Sequence, residues 1–414
     1  MNKIVFLYFS LISFIVSSQE YETLPPDFIK TIEFYGSTEF SGTPVISLNG
    51  SLELKFDDIT ASESDYYYEI EHYNFDWTPS DLAKNEYLEG FDDIRLFNFT
   101  NSFTTLQPYT HHELKLPNNN TRAIKVSGNY MLKIFNSQDE IIFSRKFIVY
   151  ENLVDVAVTI RRSRELEYVQ KKQVVNFEIG RDSFIFRNPK KTVKTVVVQN
   201  NDFNTAIYDL KPQFTQGNKL IYKYDQESSF WGGNEYLNFD NKDIRAGTLR
   251  IERVELVDLY HSHLYPNFVR EGRPYTYNPD INGAFRINTI QGDDIDIESE
   301  YAWVHFYLES YKDLDGGELH LYGQFNNYVL DDSTQMKFNE DKNLYESKLL
   351  MKQGFYNFKY VYLDKNGDFN EGFISGNHDE TENDYMVLVY YRDIGARYDK
   401  VIGVGRANGR NIIN

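Results

Sequence analysis

Histidines are the first residues to consider for metal chemistry. His261 and His263 are two positions apart, a spacing that places both rings on one face of a strand. His305 could complete a set of three imidazole ligands, as in many zinc sites. The His-His-Glu run at 111–113 has no second histidine at helical distance and is not a zinc-protease helix. We interpret the histidines as polar positions and expect no metal or cofactor, with a three-histidine site as the alternative.

Acidic residues form two further candidate sites for a cation. The run at 364–368 (DKNGD) begins like a calcium loop, but Gly367 stands at its fourth position and Ser375 occupies the twelfth, where a glutamate is required. Asn-Gly after an aromatic run predicts a hairpin turn instead. Asp294, Asp296 and Glu298 alternate, so we expect them on one face of an edge strand, where charge opposes pairing with another sheet.

Catalytic motifs are missing from the sequence. It has no G-x-S-x-G elbow, no phosphate-binding G-x-x-x-x-G-K-[ST] loop and no G-x-G-x-x-G that opens a helix. The absence of cysteine excludes disulfides, thiolate metal sites and cysteine nucleophiles. A carboxylate pair for glycoside hydrolysis stays open, because acidic residues occur throughout and no spacing singles out two. The sequence therefore favours a protein that is not an enzyme.

Composition limits the fold and the partners. The 414 residues allow two to three domains, and 62 acidic against 43 basic residues give a net charge of −19, which disfavours nucleic acid and anionic lipid as partners. The high content of Tyr (33) and Phe (31) is typical of a strand-rich chain. Basic residues concentrate at 161–194, either as a solvated face or as a docking surface for an acidic partner, and acidic residues outnumber basic ones 23 to 10 over 291–400.

The first 18 residues have the layout of a secretory signal peptide. Lys3 is followed by an apolar run of 13 residues at 4–16 and by small residues, and cleavage after Ser18 would leave Gln19 as the first residue. The run is too short to span a bilayer, and no later segment approaches the length required. We therefore expect an exported protein that is not inserted in a membrane and attaches to one only through a partner.

Alternating apolar and polar residues predict an all-β fold of tandem β-sandwiches of immunoglobulin or fibronectin type. The predicted strands include 66–73 (YYYEIEHY), 141–150 (IIFSRKFIVY) and 385–391 (YMVLVYY). Turn signals divide the chain into an N-terminal sandwich at 25–152, a middle sandwich at 153–290 and a C-terminal sandwich at 291–414.

The C-terminal block carries two aromatic runs, 322–328 (YGQFNNY) and 354–360 (GFYNFKY). They resemble the early-set immunoglobulin-like modules that bind glycogen and starch. In those modules a tryptophan that stacks on the sugar occupies the position of Tyr328. This resemblance implies an alternative function as a polysaccharide-binding accessory protein, in which Tyr328 would contact a glucan.

A second resemblance extends over about 25–405. The motifs resemble the family of exported Bacteroidetes proteins that includes the Plug subunit of the type IX secretion translocon. They are 71–80 (EHYNFDWTPS), 86–91 (EYLEGF), 109–112 (YTHH), 116–117 (LP), 127–130 (SGNY) and 398–403 (YDKVIG).

The family resemblance implies a non-enzymatic periplasmic subunit that is associated with the outer membrane through its partner. Such a subunit seals the periplasmic opening of the giant translocon barrel when no substrate is in transit. Sealing needs a broad interface, and aromatic side chains are enriched in the cores of interfaces. We therefore expect Phe75, Trp77, Tyr87 and Phe91 to be exposed on loops and to contact this barrel, with a core position as the alternative for Trp77.

Overall fold

The predicted all-β fold is confirmed by the structure, a computed structural model that describes residues 19–36, 42–248 and 250–412. The predicted signal peptide at 1–18 lies outside the described residues. Within them, strands pair into three two-layered units with separate apolar cores, which we call the first, middle and third units.

The strands are short and follow one another closely along the chain, with a few single helical turns between them. In the first unit they are β1 (Ile29–Tyr35), β2 (Val45–Ser47), β3 (Leu52–Asp58), β4 (Tyr66–Tyr73), β5 (Leu88–Gly90), β6 (Ile94–Arg95), β7 (Asn98–Asn101), β8 (Thr110–Leu116), β9 (Thr121–Ile124), β10 (Gly128–Asn136) and β11 (Ile141–Tyr150). They are followed by β12 (Asp155–Arg162), β13 (Lys172–Gly180), β14 (Val193–Gln199), β15 (Asp202–Tyr208), β16 (Phe214–Gln216), β17 (Lys219–Tyr222) and β18 (Ser229–Trp231).

The second half of the chain continues with β19 (Leu237–Asp240), β20 (Ile251–Leu256), β21 (Tyr260–Leu264), β22 (Asn267–Phe268), β23 (Phe285–Ile287), β24 (Tyr301–Glu309), β25 (Glu318–Tyr322), β26 (Lys337–Asn339), β27 (Leu344–Lys352), β28 (Gly354–Leu363), β29 (Phe369–Asn370), β30 (Asp384–Tyr391) and β31 (Lys400–Asn408). The helical turns are α1 (Lys84–Tyr87), α2 (Pro189–Thr192), α3 (Ile295–Glu298) and α4 (Gly372–Ser375), with 3₁₀ turns at Gln324–Asn326 and Gly409–Asn411.

The first unit is a sandwich of two sheets whose strands pair antiparallel, except that β2 and β11 are parallel. One sheet has the order β1-β3-β8-β7 and the other has the order β2-β11-β10-β4-β6, while β5 and β9 form a separate ribbon. Alternate residues of β3 and β4 point inward, as with Leu54, Phe56, Tyr68 and Ile70, and these side chains form one core. The strand period of two in the sequence therefore becomes the inner face of this unit.

The middle unit is built from two distant parts of the chain. Its first sheet has the order β12-β13-β17-β16, with β18 paired to β13, and its second has the order β15-β14-β30-β31. Strand β30 pairs with β14 from Val193 opposite Tyr391 to Gln199 opposite Tyr385. The third unit is therefore an insertion between β18 and β30.

The third unit also packs two layers. Strand β28 carries β19, β23, β25 and β29, and the facing sheet has the order β20-β21-β24-β27-β26 with β22 on β24. The predicted turn after β28 is present, because the amide of Asp364 donates to the carbonyl of Asp368 at 3.0 Å and Gly367 has a φ of +86°. Residues 364–368 thus form a hairpin.

Two expectations about the second half of the chain differ from the structure. The predicted block at 153–290 placed residues 237–287 in the middle sandwich, but these residues form β19 to β23 of the third unit. The predicted block at 291–414 placed residues 385–391 in the C-terminal sandwich, but these residues form β30 of the middle unit. Alternation specifies which face of β30 is buried but not which strand lies beside it. Asp294, Asp296 and Glu298 were expected on a strand. They lie instead at α3, where the Asp294 carboxylate accepts from the amide of Asp296 at 3.0 Å.

Candidate functional site

The motif at 71–80 lies in the contact between the first and middle units, which we call the apolar seam. Phe75 and Trp77 are buried there, and their cluster includes Leu388, Tyr390 and Val401 of the middle unit. The Phe75 ring meets that of Tyr390 edge to face at 5.0 Å. Burial of these rings stabilises the contact between the two units.

A buried carboxylate aligns the apolar seam. Asp399 Oδ2 accepts from the amide of Phe75 at 3.1 Å and from Arg392 Nη2 at 2.9 Å. Arg392 Nη2 also donates to Asn74 Oδ1 at 2.5 Å. The structure thus brings together the motifs at 71–80 and 398–403, which are far apart in sequence. Their shared role is to fix the first unit on the middle unit.

The first and third units meet at a second contact, which is ionic and which we call the charged seam. Lys352 of the third unit donates from Nζ to Asp57 Oδ2 at 2.7 Å, and both side chains are 1% exposed. Asp57 also binds the Tyr301 hydroxyl at 2.7 Å and the Nδ1 of His111 at 2.6 Å. Lys55 forms a further pair with Asp296 at 2.8 Å. These polar contacts are satisfied only when the two units have one relative orientation.

Two carboxylates of the charged seam have opposite pKa shifts. Burial alone would raise the pKa of Asp57, but Lys352 and His111 outweigh burial and hold that pKa below its usual value. Glu33, in β1, lies near the same Lys352. For Glu33 the effect of burial outweighs that of the lysine and raises its pKa to about 7. The charged seam therefore contains a carboxyl group, that of Glu33, whose pKa lies near neutral pH.

The middle and third units are joined through tyrosines. Tyr322 donates its hydroxyl hydrogen to Asp202 Oδ2 at 2.5 Å, and burial raises the pKa of Asp202 to about 6. Tyr328 donates to the carbonyl of Asn200 at 3.2 Å and is 6% exposed. The expected stacking of Tyr328 on a glucan does not fit this position, because the ring is enclosed between the two units.

Three of the four aromatic residues expected on exposed loops are buried, and Phe91 is exposed as expected. Phe75 and Trp77 lie in the apolar seam, and Tyr87 lies in the core of the first unit with its hydroxyl directed at the carbonyl of Ile70 at 3.2 Å. The expected exposure of Phe75 and Tyr87 is wrong, and Trp77 takes its alternative position as a core residue. The middle unit covers Phe75 and Trp77, whereas Tyr87 is covered by its own unit. Phe91 is 76% exposed. Contact of these residues with the barrel stays a prediction.

Phe91 is followed by three further exposed apolar residues that the sequence analysis did not single out. Phe97, Phe103 and Leu106 are also exposed, by 69%, 62% and 48%. We call these four residues the aromatic edge. The segment includes β6 and β7, which are the end strands of the two sheets of the first unit, so it crosses from one sheet to the other along the open side of the sandwich. The spacing of Phe at 91, 97 and 103 in a turn-rich stretch was the available signal.

Part of the aromatic edge is held by the third unit. Glu300 accepts the amide of Leu106 at 2.6 Å and the amide of Gln107 at 3.2 Å. The amide of Phe103 donates to the carbonyl of Ile297 at 2.9 Å. Exposed apolar side chains on a backbone fixed in this way lose little conformational entropy on binding, which favours their use as a contact surface.

The three candidate metal ligands do come together. His261 and His263 of β21 and His305 of β24 are stacked on one face, with His261 Nδ1 hydrogen-bonded to His305 Nε2 at 2.9 Å and the rings of His263 and His305 4.2 Å apart. In the part of the chain that the structure describes, no cluster of three or more His, Asp or Glu side chains is arranged to hold a metal ion.

None of the helices among the described residues has the length and apolarity to cross a membrane.

Comparisons with known proteins identify relatives of this chain. The family model described as the first domain of the type 9 secretion system plug protein matches residues 29–151. The crystal structure of a hypothetical protein from Parabacteroides merdae ATCC 43184 is 32% identical, with 94% of this chain and 100% of that chain covered and a TM-score of 0.89. A D1–D4 fragment of the ICAM-5 ectodomain is 8% identical over 91% of this chain and 76% of its own, but its TM-score of 0.13 supports no argument. No curated protein matches.

Proposed function

This chain belongs to the type 9 secretion system plug protein family, and we propose that it is a non-enzymatic subunit that seals the periplasmic opening of the translocon barrel when no substrate is in transit. In this proposal the protein is periplasmic and is held at the outer membrane by the barrel. The observation that carries the proposal, beyond the family itself, is the locking of all three units against one another. A subunit that seals a pore must be rigid, so that thermal motion of its units relative to one another does not open the seal.

The three contacts lock the units by different means. The apolar seam buries aromatic rings, the charged seam pairs Asp57 with Lys352, and tyrosine hydroxyls join the middle and third units. In addition, the chain crosses from the middle to the third unit and back at neighbouring positions, where the amide of His378 donates to the carbonyl of Gly233 at 2.9 Å. Two chain crossings side by side restrict hinge motion between the middle and third units more than a single crossing would.

The aromatic edge supplies a surface suited to a releasable contact. The exposed Asp93 lies close to Phe91 in sequence, and the acidic turn α3 lies beside the aromatic edge. A partner face with apolar pockets and basic side chains around them would fit this pattern. Phe91 of the aromatic edge is one of the residues expected to contact the barrel.

The proposal is tested by deletion and by purification of the tagged, chromosomally expressed protein in mild detergent. We expect the barrel to co-purify and the deletion strain to admit large antibiotics through the outer membrane. The double variant Phe97→Ser/Phe103→Ser should lose most of the barrel from the purified material, because it removes two apolar contacts at once. Phe214→Ser is the matched control, since Phe214 is also 62% exposed but lies on the middle unit.

Two results would contradict this function. One is a deletion strain that retains an assembled translocon and shows no rise in outer-membrane permeability. The other is recovery of the protein without the barrel at wild-type expression in several detergents. Loss of the barrel in the Phe214→Ser control would instead place the contact outside the aromatic edge.

A further inference from the structure

A polar cleft of about 880 Å³ lies where the middle and third units meet, apart from the aromatic edge. The walls come from the end of β12, the turn before β13 and β18 on one side, and from the segments after β22 and around α4 on the other. The lining includes Arg162, Lys171, Trp231, Arg273, His378 and Glu380. Its size is that of a site for a small molecule or a few units of a polymer.

The cleft is preformed. Its two walls are tied together by the paired crossings of the chain, where Asn383 Nδ2 donates to the carbonyl of Gly232 at 2.8 Å and Asn234 Nδ2 donates to the carbonyl of Ser375 at 2.8 Å. A side chain at Gly232 would meet the carbonyl oxygen of His378 at 2.0 Å, so the two crossings are in close backbone contact. A ligand therefore finds the cleft without paying for its assembly.

Trp231 gives the cleft a flat apolar surface. The residue is 44% exposed. Tyr168 meets the indole ring edge to face at 5.6 Å and Lys172 places Nζ 4.5 Å from the ring centre, yet neither of these residues lines the cleft. The indole therefore lines the cleft and is partly exposed there. Large aromatic side chains with an open face in a concave polar site are suited to stacking on a ligand ring.

Some of the charged side chains around this surface are paired with a counter-ion and others are not. Arg162 is paired with Asp379 at 2.6 Å, whereas Lys171, Arg273 and Glu380 form no ion pair within the described ranges. The Nε2 atom of His378 is buried and has no hydrogen-bond partner there. The cleft thus offers hydrogen-bond donors and an acceptor that are not already used by the protein.

We propose that this cleft binds a saccharide chain. A pyranose ring has an apolar face of C–H groups and a rim of hydroxyl groups, which match the partly exposed indole and the unpaired polar side chains. An apolar ligand would remove water from Lys171 and Arg273 without replacing its hydrogen bonds, at high cost. A nucleic acid would meet Asp379 and Glu380 on a chain with a net charge of −19. This binding site is independent of the sealing function.

The test uses the purified exported chain with two probes that share the pyranose ring, neutral maltoheptaose and acidic hexagalacturonate. Binding is followed by calorimetry and by tryptophan fluorescence. We expect one or both sugars to bind, and Trp231→Ala to weaken binding about tenfold through loss of stacking. Trp303→Ala is the matched control, because Trp303 lies in β24 of the third unit, does not line the cleft, and likewise has a lysine, Lys348, over its ring at 4.7 Å.

Trp231→Phe guards against a folding defect, since it retains an aromatic ring and should keep affinity within about threefold. The double variant Lys171→Gln/Arg273→Gln distinguishes the two sugars, because it should weaken only the acidic one. The proposal is overturned if neither sugar binds at millimolar concentration, or if Trp231→Ala binds as well as the unaltered protein. Neither result affects the barrel co-purification, so this proposal and the sealing function fail separately.

Discussion

The apolar seam and the charged seam hold the first unit in contrasting ways. In the apolar seam Phe75 and Trp77 bury large rings against β30 and β31, and burial stabilises without a strict demand on direction. In the charged seam Asp57 and Lys352 are buried, and their mutual attraction is largely offset by the loss of hydration of both groups. The rings of the apolar seam therefore supply stability, whereas orientation comes from its buried Asp399 and from the charged seam. The difference appears when one member of each contact is removed.

Removal of one charge from the charged seam should have the largest effect. Lys352→Met leaves Asp57 buried with Tyr301 and His111 but without a cationic partner of fixed charge. We expect the free energy of unfolding of the first and third units to fall by about 3–5 kcal/mol, as for other broken buried pairs. Urea denaturation followed by hydrogen exchange in β3 and β27 measures this loss.

An exposed pair serves as the control for Lys352→Met. Lys365 and Asp315 form an ion pair at 2.8 Å with side chains 59% and 80% exposed, and Lys365→Met should change stability by less than about 0.5 kcal/mol. The double variant Asp57→Asn/Lys352→Met should recover part of the loss, because no buried charge is left unpaired. A double variant no more stable than Lys352→Met would show that the unpaired charge of Asp57 is not the cause of the loss. A double variant much less stable than the unaltered protein would show that the pair contributes net stability, contrary to the contrast drawn above.

Truncation in the apolar seam should have the next largest effect. Phe75→Ala removes a buried ring that contacts Tyr390 and should cost about 3 kcal/mol in the free energy of unfolding. The backbone amide that donates to Asp399 is retained, so the loss reports packing. The cost should be the same at pH 5 and pH 8 in thermal or urea denaturation. A cost that varied with pH would mean that packing of the Phe75 ring is coupled to an ionised group such as Asp399.

Glu33→Gln should have the smallest effect and should sharpen the contrast through pH. The pKa of Glu33 rises from 4.5 to about 7 on folding, so the folded protein retains a proton that the unfolded chain releases between these values. Stability from this group is therefore lost as the pH rises from about 4.5 to 7 and is constant above that range. Glu33→Gln should therefore be more stable than the unaltered protein at pH 8. The pKa difference sets an upper limit of about 3 kcal/mol on this gain, and solvent screening lowers it because Glu33 is only half-buried.

The comparison of stability curves at pH 4 and pH 8 tests this sign. The two proteins should have nearly equal stability at pH 4, where the carboxyl group is protonated in both the folded and the unfolded chain. Phe75→Ala, measured in the same way, should show a difference that does not change with pH. A Glu33→Gln curve parallel to that of the unaltered protein would contradict the raised pKa.

Much of the local structure follows from the sequence. The strand predicted at 66–73 is β4, the strand predicted at 141–150 is β11, and the Asn-Gly turn at 364–368 closes a hairpin. These features depend on residues a few positions apart, through side-chain alternation and turn conformation. The family was also identified from sequence, because its motifs are read without knowledge of where they lie in the fold.

The arrangement of the units was decided only by the tertiary structure. Alternation in β30 indicates a buried face whether its neighbour is a strand of the third unit or β14, about 190 residues earlier. The same limit explains why Phe75 was expected to be exposed and why the position of Trp77 was left open, since an aromatic turn becomes buried only if another unit covers it. Sequence determined which residues are apolar and how they alternate. Long-range packing determined which surfaces they cover, and it left Phe91 and Trp231 open to solvent.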